Sequence, residues 1–513
     1  MTIKTSFCPV ATAHIDLLPL IIEHFQVSQN SQGRIQKDIK EHFDQLSVNC
    51  YFVVEAPYVD KVFRDSFYSY YSSKLIPYKR DCIRVSIFDG GISKDDFIPF
   101  QQEKYEALRL RYRGFIILRP TEPNIIGRSV IAPKALKNNS LEICQTGFDT
   151  TTNGLKFGVH GFPYSSQDSE TITCAETTIW AIMEYFGHRY PEYRPVLPSS
   201  IISTLNRTAE ERLIPSRGLN ISQMSYALKD FGFGTRIYAK SEYEEYEFNK
   251  LLSCFIESGI PVVIAIESPE AVKPRIGHAT LCIGHEQIDP AIIDTIPVIK
   301  TGLKSLDDIL HTQKIELFDF DDLNKNFVFI DDNLPPYHMA KLATPTEHLI
   351  YRRNPDWLTC KISHFIVPLY PKVYLEAFKL KRYINTFLLS GPLPLHKSSV
   401  VLLRTFLTSS RSFKDKIIRT SDFSAKLKSI LCGTPMPKFV WVTELSDKTL
   451  MKRGLANGLI VVDATEPNTD NERLMIIAAY QSNLVYFNEK SAMMTNYPLP
   501  LQPFSIYNNN LQP

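Results

Sequence analysis

The sequence predicts an α+β protein organised as three regions, and three observations carry that expectation. The chain has 513 residues, more than one hydrophobic core usually organises. Its 44% hydrophobic and 22% charged residues are the balance of an ordinary globular chain. Apolar runs of strand length alternate with segments of helical periodicity throughout, with no internal repeat.

Residues 1–150 read as an N-terminal α/β domain. Tyr51–Glu55, Ile83–Phe88 and Gly114–Arg119 are strand-like. Val59, Val62, Phe63, Phe67 and Tyr70 form a helical stripe, and Pro120–Gly127 is a proline-rich turn. Residues 151–358 open on a Gly, Ser and Thr rich approach, then a helix, then strands. Residues 359–513 read as a second α/β domain, with strands at His364–Leu369, Val400–Phe406, Phe439–Val442, Leu459–Val462 and Met475–Ile477 and a helix over Val373–Leu389. The basic cluster Lys379, Lys381 and Arg382 on that helix reads as a solvated face, as does the acidic run Glu242, Glu244, Glu245 and Glu247.

A formal net charge of +2 supplies no field for nucleic acid or anionic membrane. The N-terminus has no pattern of a secretory signal, and no apolar run approaches a bilayer's thickness. The nine cysteines are odd in number, and the closest two, Cys254 and Cys282, are 28 apart (282 − 254). That spacing excludes CxxC zinc or redox motifs and points to free thiols in a reducing cytoplasm.

The chemistry concentrates in the middle region. Ile179, Ile182, Met183 and Phe186 recur at i, i+3, i+4 and i+7, the pattern of an amphipathic helix, with Gly187 as its stop. Cys174 falls in the first turn of that helix, after Thr171 and Thr173 as candidate caps. Unpaired N–H groups and the positive dipole end favour a thiolate there. Downstream, Gly259–Ile266 reads as a turn and a buried strand, and His278–His285 as a second strand. His278 stands at the entrance of that strand beside Gly277, where a base can be reached; His285 lies at its far end. The run Phe327–Ile330 then ends in Asp331 and Asp332, either of which can orient a histidine on a neighbouring strand. Gln167 lies seven residues before Cys174 (174 − 167), where its amide can serve an oxyanion. Singly, a buried cysteine, an edge histidine, aspartates at a turn and a polar-loop glutamine are all commonplace; their order is what joins them.

That order resembles the papain-like cysteine peptidase superfamily, and within it the bacteriocin-processing peptidase domains of ABC exporters and their stand-alone relatives. The likeness covers residues 160–335 and rests on Gln167, Cys174, Gly259–Val262, Gly277–His278 and Ile330–Asp331, with Arg217–Gly218–Leu219 and the Met224, Leu228, Phe231 stripe resembling the family's middle helix. It implies a Cys-bearing helix packed on an antiparallel sheet that bears the His and Asp. The chain departs from the family in its Gln-to-Cys spacing, in Ala175 where glycine is common, in the long insertion after His285, and in Asp332 standing where the family has proline.

The expectation is an amide-bond hydrolase, a thiol peptidase in the sense of its triad, with Cys174 as nucleophile, His278 as base, Asp331 or Asp332 as orienter and Gln167 at the oxyanion. It implies no metal or organic cofactor. Acyl transfer on the same triad, as in transglutaminase-like enzymes, is the alternative chemistry; a peptide-binding or assembly module with a dead site is the non-enzymatic one. A protein or peptide substrate, a regulatory ligand or partner on the flanking domains, no nucleic acid, no membrane, and a regulated role in the cytoplasm of a bacterium complete the expectations.

Overall fold

In the computed structural model, residues 4–97, 101–122, 124–168, 170–207, 218–349, 355–391, 393, 395–471, 473–488 and 493–513 are described. Arg217, part of the family likeness, and Pro123, within the proline-rich turn, lie outside the described residues.

Three sheets organise the chain. The first runs in the order Lys4–Pro9, Cys50–Tyr58, Cys82–Asp89, Tyr112–Leu118, Ile126–Ile131, Leu155–Tyr164 and Thr146–Thr152, every neighbouring pair antiparallel. The second runs His338–Ala340, Phe327–Ile330, Gly277–Glu286, Val262–Glu267, Lys361–Val367 and Arg236–Ala239, again all antiparallel. The third is antiparallel except where Glu316–Asp319 joins Val400–Ser409 in parallel. Both flanking regions, expected as α/β, are therefore built on largely antiparallel sheets. Alternation of short strands and helices along the sequence does not by itself impose the parallel crossovers of an α/β domain.

The sheets exchange strands across the boundaries drawn at 150 and 358. Leu155–Tyr164 belongs to the first sheet, Lys361–Val367 to the second, and Glu316–Asp319 to the third. The insertion after His285 thus leaves the central sheet, forms the helix Lys304–Gln313 and returns as an edge strand of the third sheet. One continuous hydrophobic core contains residues of all three regions.

The helix Cys174–Arg189 lies between the first and second sheets. Its expected single apolar stripe is corrected: every residue from Ala175 to Phe186 is buried. A helix covered on two sides loses its solvent face, so its polar residues need partners inside. Glu184 is one such residue, with Lys61 at 3.6 Å and Arg128 at 3.7 Å, both from the N-terminal region. Gly187 does not stop the helix; a Cβ there would come within 2.4 Å of the Pro195 nitrogen, so glycine is needed for the returning chain. The helix expected from Val373 begins at Ala377, because the backbone N–H groups of Tyr374 and Leu375 both donate to the Ala464 carbonyl and keep that stretch out of the helix. Lys381 on this helix is not solvated. Its ammonium donates to Asp319 at 2.9 Å and to Asp321 at 2.7 Å, a contact made possible by the inserted strand. None of the described helices is long and apolar enough to cross a membrane.

Candidate active site

Cys174 is the first residue of the buried helix. Its N–H has no partner in the helix's own ladder, whose donors begin a turn later. Thr173 caps the helix, and the Glu176 carboxylate accepts from the Thr173 N–H at 3.1 Å, closing a capping box. The approach to the helix is also fixed. Asp168 accepts from the N–H groups of Glu170, Thr171 and Ile172 at 2.8–2.9 Å, and Arg119 of the first sheet donates to the Ser166 carbonyl at 2.6 Å. The N-terminal region therefore sets where the cysteine begins. Cys174 is half-buried; among the nine cysteines only Cys432 shares that exposure, and the others are buried.

His278 enters the strand Gly277–Glu286 and pairs with Ile266 of the adjacent strand. On the other side, Leu281 is opposite Ile330. The antiparallel register then carries the residues after Ile330 back alongside His278. The His278 Nε2 lies 2.7 Å from the Asp331 carboxylate and 3.9 Å from that of Asp332. The strand ends at Ile330, so both aspartates sit in the turn that follows, and the alternation of a continuing strand does not separate them. With Nε2 engaged by Asp331, Nδ1 is the nitrogen left for a neighbour. Cys174 stands beside this ring and interacts with it.

Electrostatics follow from this grouping. Burial alone would lower the His278 pKa, but the Asp331 charge and hydrogen bond overcome it, Cys174 adds in the same sense, and the imidazolium is held well above its ordinary range. Burial would raise Asp331, yet His278, helped by His338 and the Asn333 N–H, holds its carboxyl well below the usual range. Trp357 closes the group from one side, its ring edge-on to His278 with centroids 5.6 Å apart. The indole is buried and covers one side of the imidazole with apolar surface.

Gln167 also reaches this group. Its amide donates to the Asn333 side chain at 3.0 Å. Asn333 in turn donates its backbone N–H to Asp331 at 2.8 Å and its side-chain amide to Asp332 at 2.9 Å. All five residues singled out from the sequence, Gln167, Cys174, His278, Asp331 and Asp332, thus belong to one neighbourhood. His285, by contrast, is buried seven residues along the strand, with its Nε2 2.9 Å from Glu257 and its Nδ1 on the Glu286 carbonyl at 2.7 Å.

Sequence reasoning missed Asn333, Trp357, Asp168 and His338. Asp168 has a readable signal, an Asp that caps the turn leading to Thr171. Asn333 and Trp357 have none, because their roles depend on which turn faces which strand. His278, Asp331 and Asp332 also bring three potential metal-ligand atoms within 4.8 Å of one another, the one such group among the described residues. The 2.7 Å contact between His278 and Asp331 is a hydrogen bond, and a cation would have to displace it.

No protein-family model matches the chain, and no curated protein matches it.

Proposed function

We propose that this chain is a cysteine-dependent amide hydrolase, a peptidase of papain-like type, acting through Cys174, His278 and Asp331. One observation carries the reading: a thiol at the start of a buried helix stands beside a histidine whose other nitrogen is held at 2.7 Å by a buried carboxylate.

In this reading His278 takes the Cys174 thiol proton, and the sulfur attacks the substrate carbonyl carbon. The oxyanion that forms is met by the Cys174 N–H and by the Gln167 hydrogen not given to Asn333. The imidazolium then protonates the leaving nitrogen as the C–N bond breaks, leaving a thioester. Water, deprotonated by His278, attacks the thioester, and the returning proton restores the thiol. Asp331 stays ionised throughout, fixing the tautomer and orientation of His278.

The test is hydrolysis of a mixed peptide library followed by mass spectrometry. Cleavage that is lost in Cys174→Ala and after iodoacetamide, but kept with a chelator, supports the reading. Cleavage that survives alkylation of Cys174 and is lost on chelation would assign the His278, Asp331 and Asp332 group to a metal instead.

A further inference from the structure

The turn that carries Asp331 and Asp332 is held at both ends, and by different sheets. It leaves the central sheet at Ile330, and at its far end Tyr337 is buried against the first sheet. The Tyr337 hydroxyl donates to the Ile131 carbonyl at 2.7 Å and accepts from the Phe162 N–H at 2.9 Å. Ile131 and Phe162 are cross-strand partners, so the phenol bridges the last pair of that ladder. Gly161 keeps the seat open: a Cβ there would come within 3.1 Å of the hydroxyl. We propose that Tyr337 is a positioning residue for the reaction, holding Asp331 on His278 by anchoring the aspartate turn to the N-terminal sheet. Its role in the reaction rests on the hydrolase reading above.

The backbone marks the anchor as specific. Tyr337 has a φ of 66°, in the left-handed region, which disfavours a bulky side chain and persists only where the surroundings over-determine it. The two hydroxyl bonds to the first sheet supply that determination. Pro335 and Pro336 precede it, each with φ fixed by its ring, so a seated Tyr337 leaves the turn little freedom. Within the turn, the Asn333 N–H donates to the Asp331 carboxylate at 2.8 Å and the Leu334 N–H to the Asp331 carbonyl at 3.2 Å. A shift of Tyr337 is therefore passed to the carboxylate that lies 2.7 Å from His278.

Phe162 refers the nucleophile to the same point. Its N–H meets Tyr337, while its ring stacks on Tyr185 of the cysteine helix with centroids 5.1 Å apart. The thiol and the orienting carboxylate arrive on separate elements, a helix and a turn, and both are gauged from one residue of the first sheet. Reacting groups work only when held to within about 0.5 Å, and a shared support is what gives that precision. The N-terminal region thereby takes part in the chemistry without touching the substrate.

The experiment uses the full chain and Tyr337→Phe, which keeps the ring and removes the hydroxyl. The rate of Cys174 alkylation by iodoacetamide at neutral pH is measured in a double-mutant cycle with Asp331→Asn. Tyr337→Phe alone should slow the reaction about fivefold or more, and in the Asp331→Asn background by less than about twofold. On any peptide that the wild type cleaves, the loss should fall on kcat, with KM held within about twofold. An unchanged rate, or equal slowing in both backgrounds, overturns the proposal. Should Tyr337→Phe not fold, Pro335→Gly loosens the same turn without touching the hydroxyl: slowing that Asp331→Asn abolishes supports the anchor, and indifference overturns it. The imidazole nitrogen shifts of His278 in NMR, assigned through His278→Ala, report the hold of Asp331 whether or not the thiol reacts. Tyr337→Phe should move them toward those of Asp331→Asn, and shifts identical to the wild type overturn the assignment. Shifts that move as expected in a chain whose Cys174 reacts no faster than Cys432 remove the hydrolase reading alone and leave Tyr337 as the anchor of Asp331.

Discussion

The strand Gly277–Glu286 carries two buried histidines, each beside a buried carboxylate, and they are not equivalent. His278 meets Asp331 at 2.7 Å, and His285 meets Glu257 at 2.9 Å. What differs is the company. Glu257 is also bound by Lys325 and, at 3.1 Å, by Arg404, and Arg404 continues to Glu444 of the third sheet at 3.0 Å. Against the cost of its burial, Lys325, His285 and Arg404 together hold Glu257 well below the usual carboxylate range. The network fastens the central sheet to the third one. Asp331 meets a histidine that can gain or lose its proton, and that histidine faces a thiol. A buried histidine–carboxylate pair is therefore not a catalytic signature in itself. The thiol at a helix start and a carboxylate answered by a titratable partner make the difference.

The sharpest way to break that comparison is to remove the thiol. Cys174→Ala or His278→Ala should reduce peptide turnover by a factor on the order of 10^6, the scale seen when other nucleophile–base pairs lose a member. His285→Ala should leave the turnover of folded protein within about twofold and act on stability instead, by about 1–3 kcal/mol in urea unfolding, since a buried acceptor loses a partner. Turnover lost equally in both histidine variants would erase the distinction between the pairs.

Next in size is the carboxylate. Asp331→Asn should lower turnover by about 10^4 through loss of the correct histidine tautomer. Asp332→Asn, whose carboxylate is 3.9 Å from the ring, should lower it about tenfold or less, a loss of about 1.4 kcal/mol in transition-state binding. The reverse order in a turnover assay would pass the orienting role to Asp332.

The pH dependence of stability sharpens the comparison further. Asp331 is depressed, so its contribution is present above its unfolded value of about 3.9 and is lost as pH falls through the far lower folded value. His278 is raised, so its contribution is full below about 6.5 and is lost as pH rises through the higher folded value. The stability gap between wild type and Asp331→Asn, read from urea midpoints, should be widest between about pH 4 and 6.5. A gap that widens steadily in alkali would contradict the ion pair.

The smallest effect concerns Trp357. Trp357→Phe should retain turnover within about tenfold while lowering the histidine's pKa in the pH profile, because a smaller ring admits water to the His–Asp bond.

Much of this site was legible in the sequence because each residue sits where periodicity changes. Cys174 opens a helix, His278 opens a strand and Asp331 follows one, and such junctions are where backbone geometry leaves side chains reachable. The strand Phe327–Ile330 appears with the limits its apolar run gives. The register was not legible, because nothing in Phe327–Ile330 says which strand it pairs with. For the same reason the joint reach of Asp331 and Asp332 was missed. Lys381 shows the complementary failure. Its sequence neighbours Lys379 and Arg382 suggest a solvated face, but its partners Asp319 and Asp321 come from an insertion some sixty residues away, at separations of 62 and 60. Charge pairing across sheets cannot be read from local pattern. The same holds for the cysteine helix, whose polar Glu184 faces a second sheet that local periodicity does not announce.

Alkylation at limiting reagent decides whether His278 activates the Cys174 thiol. Native protein at neutral pH is treated with substoichiometric iodoacetamide, and all nine cysteines are mapped by mass spectrometry. Burial pushes the thiols of Cys8 and Cys144 up to about 12 and that of Cys50 up to about 11, and those sites should stay unmodified. Cys432 is the fair competitor, since it is as accessible in class as Cys174 but has no histidine pair described beside it. Cys174 should carry the first adduct, at a rate that falls about tenfold or more in His278→Ala. First labelling at Cys432 with Cys174 intact, or a Cys174 rate indifferent to His278, would contradict it.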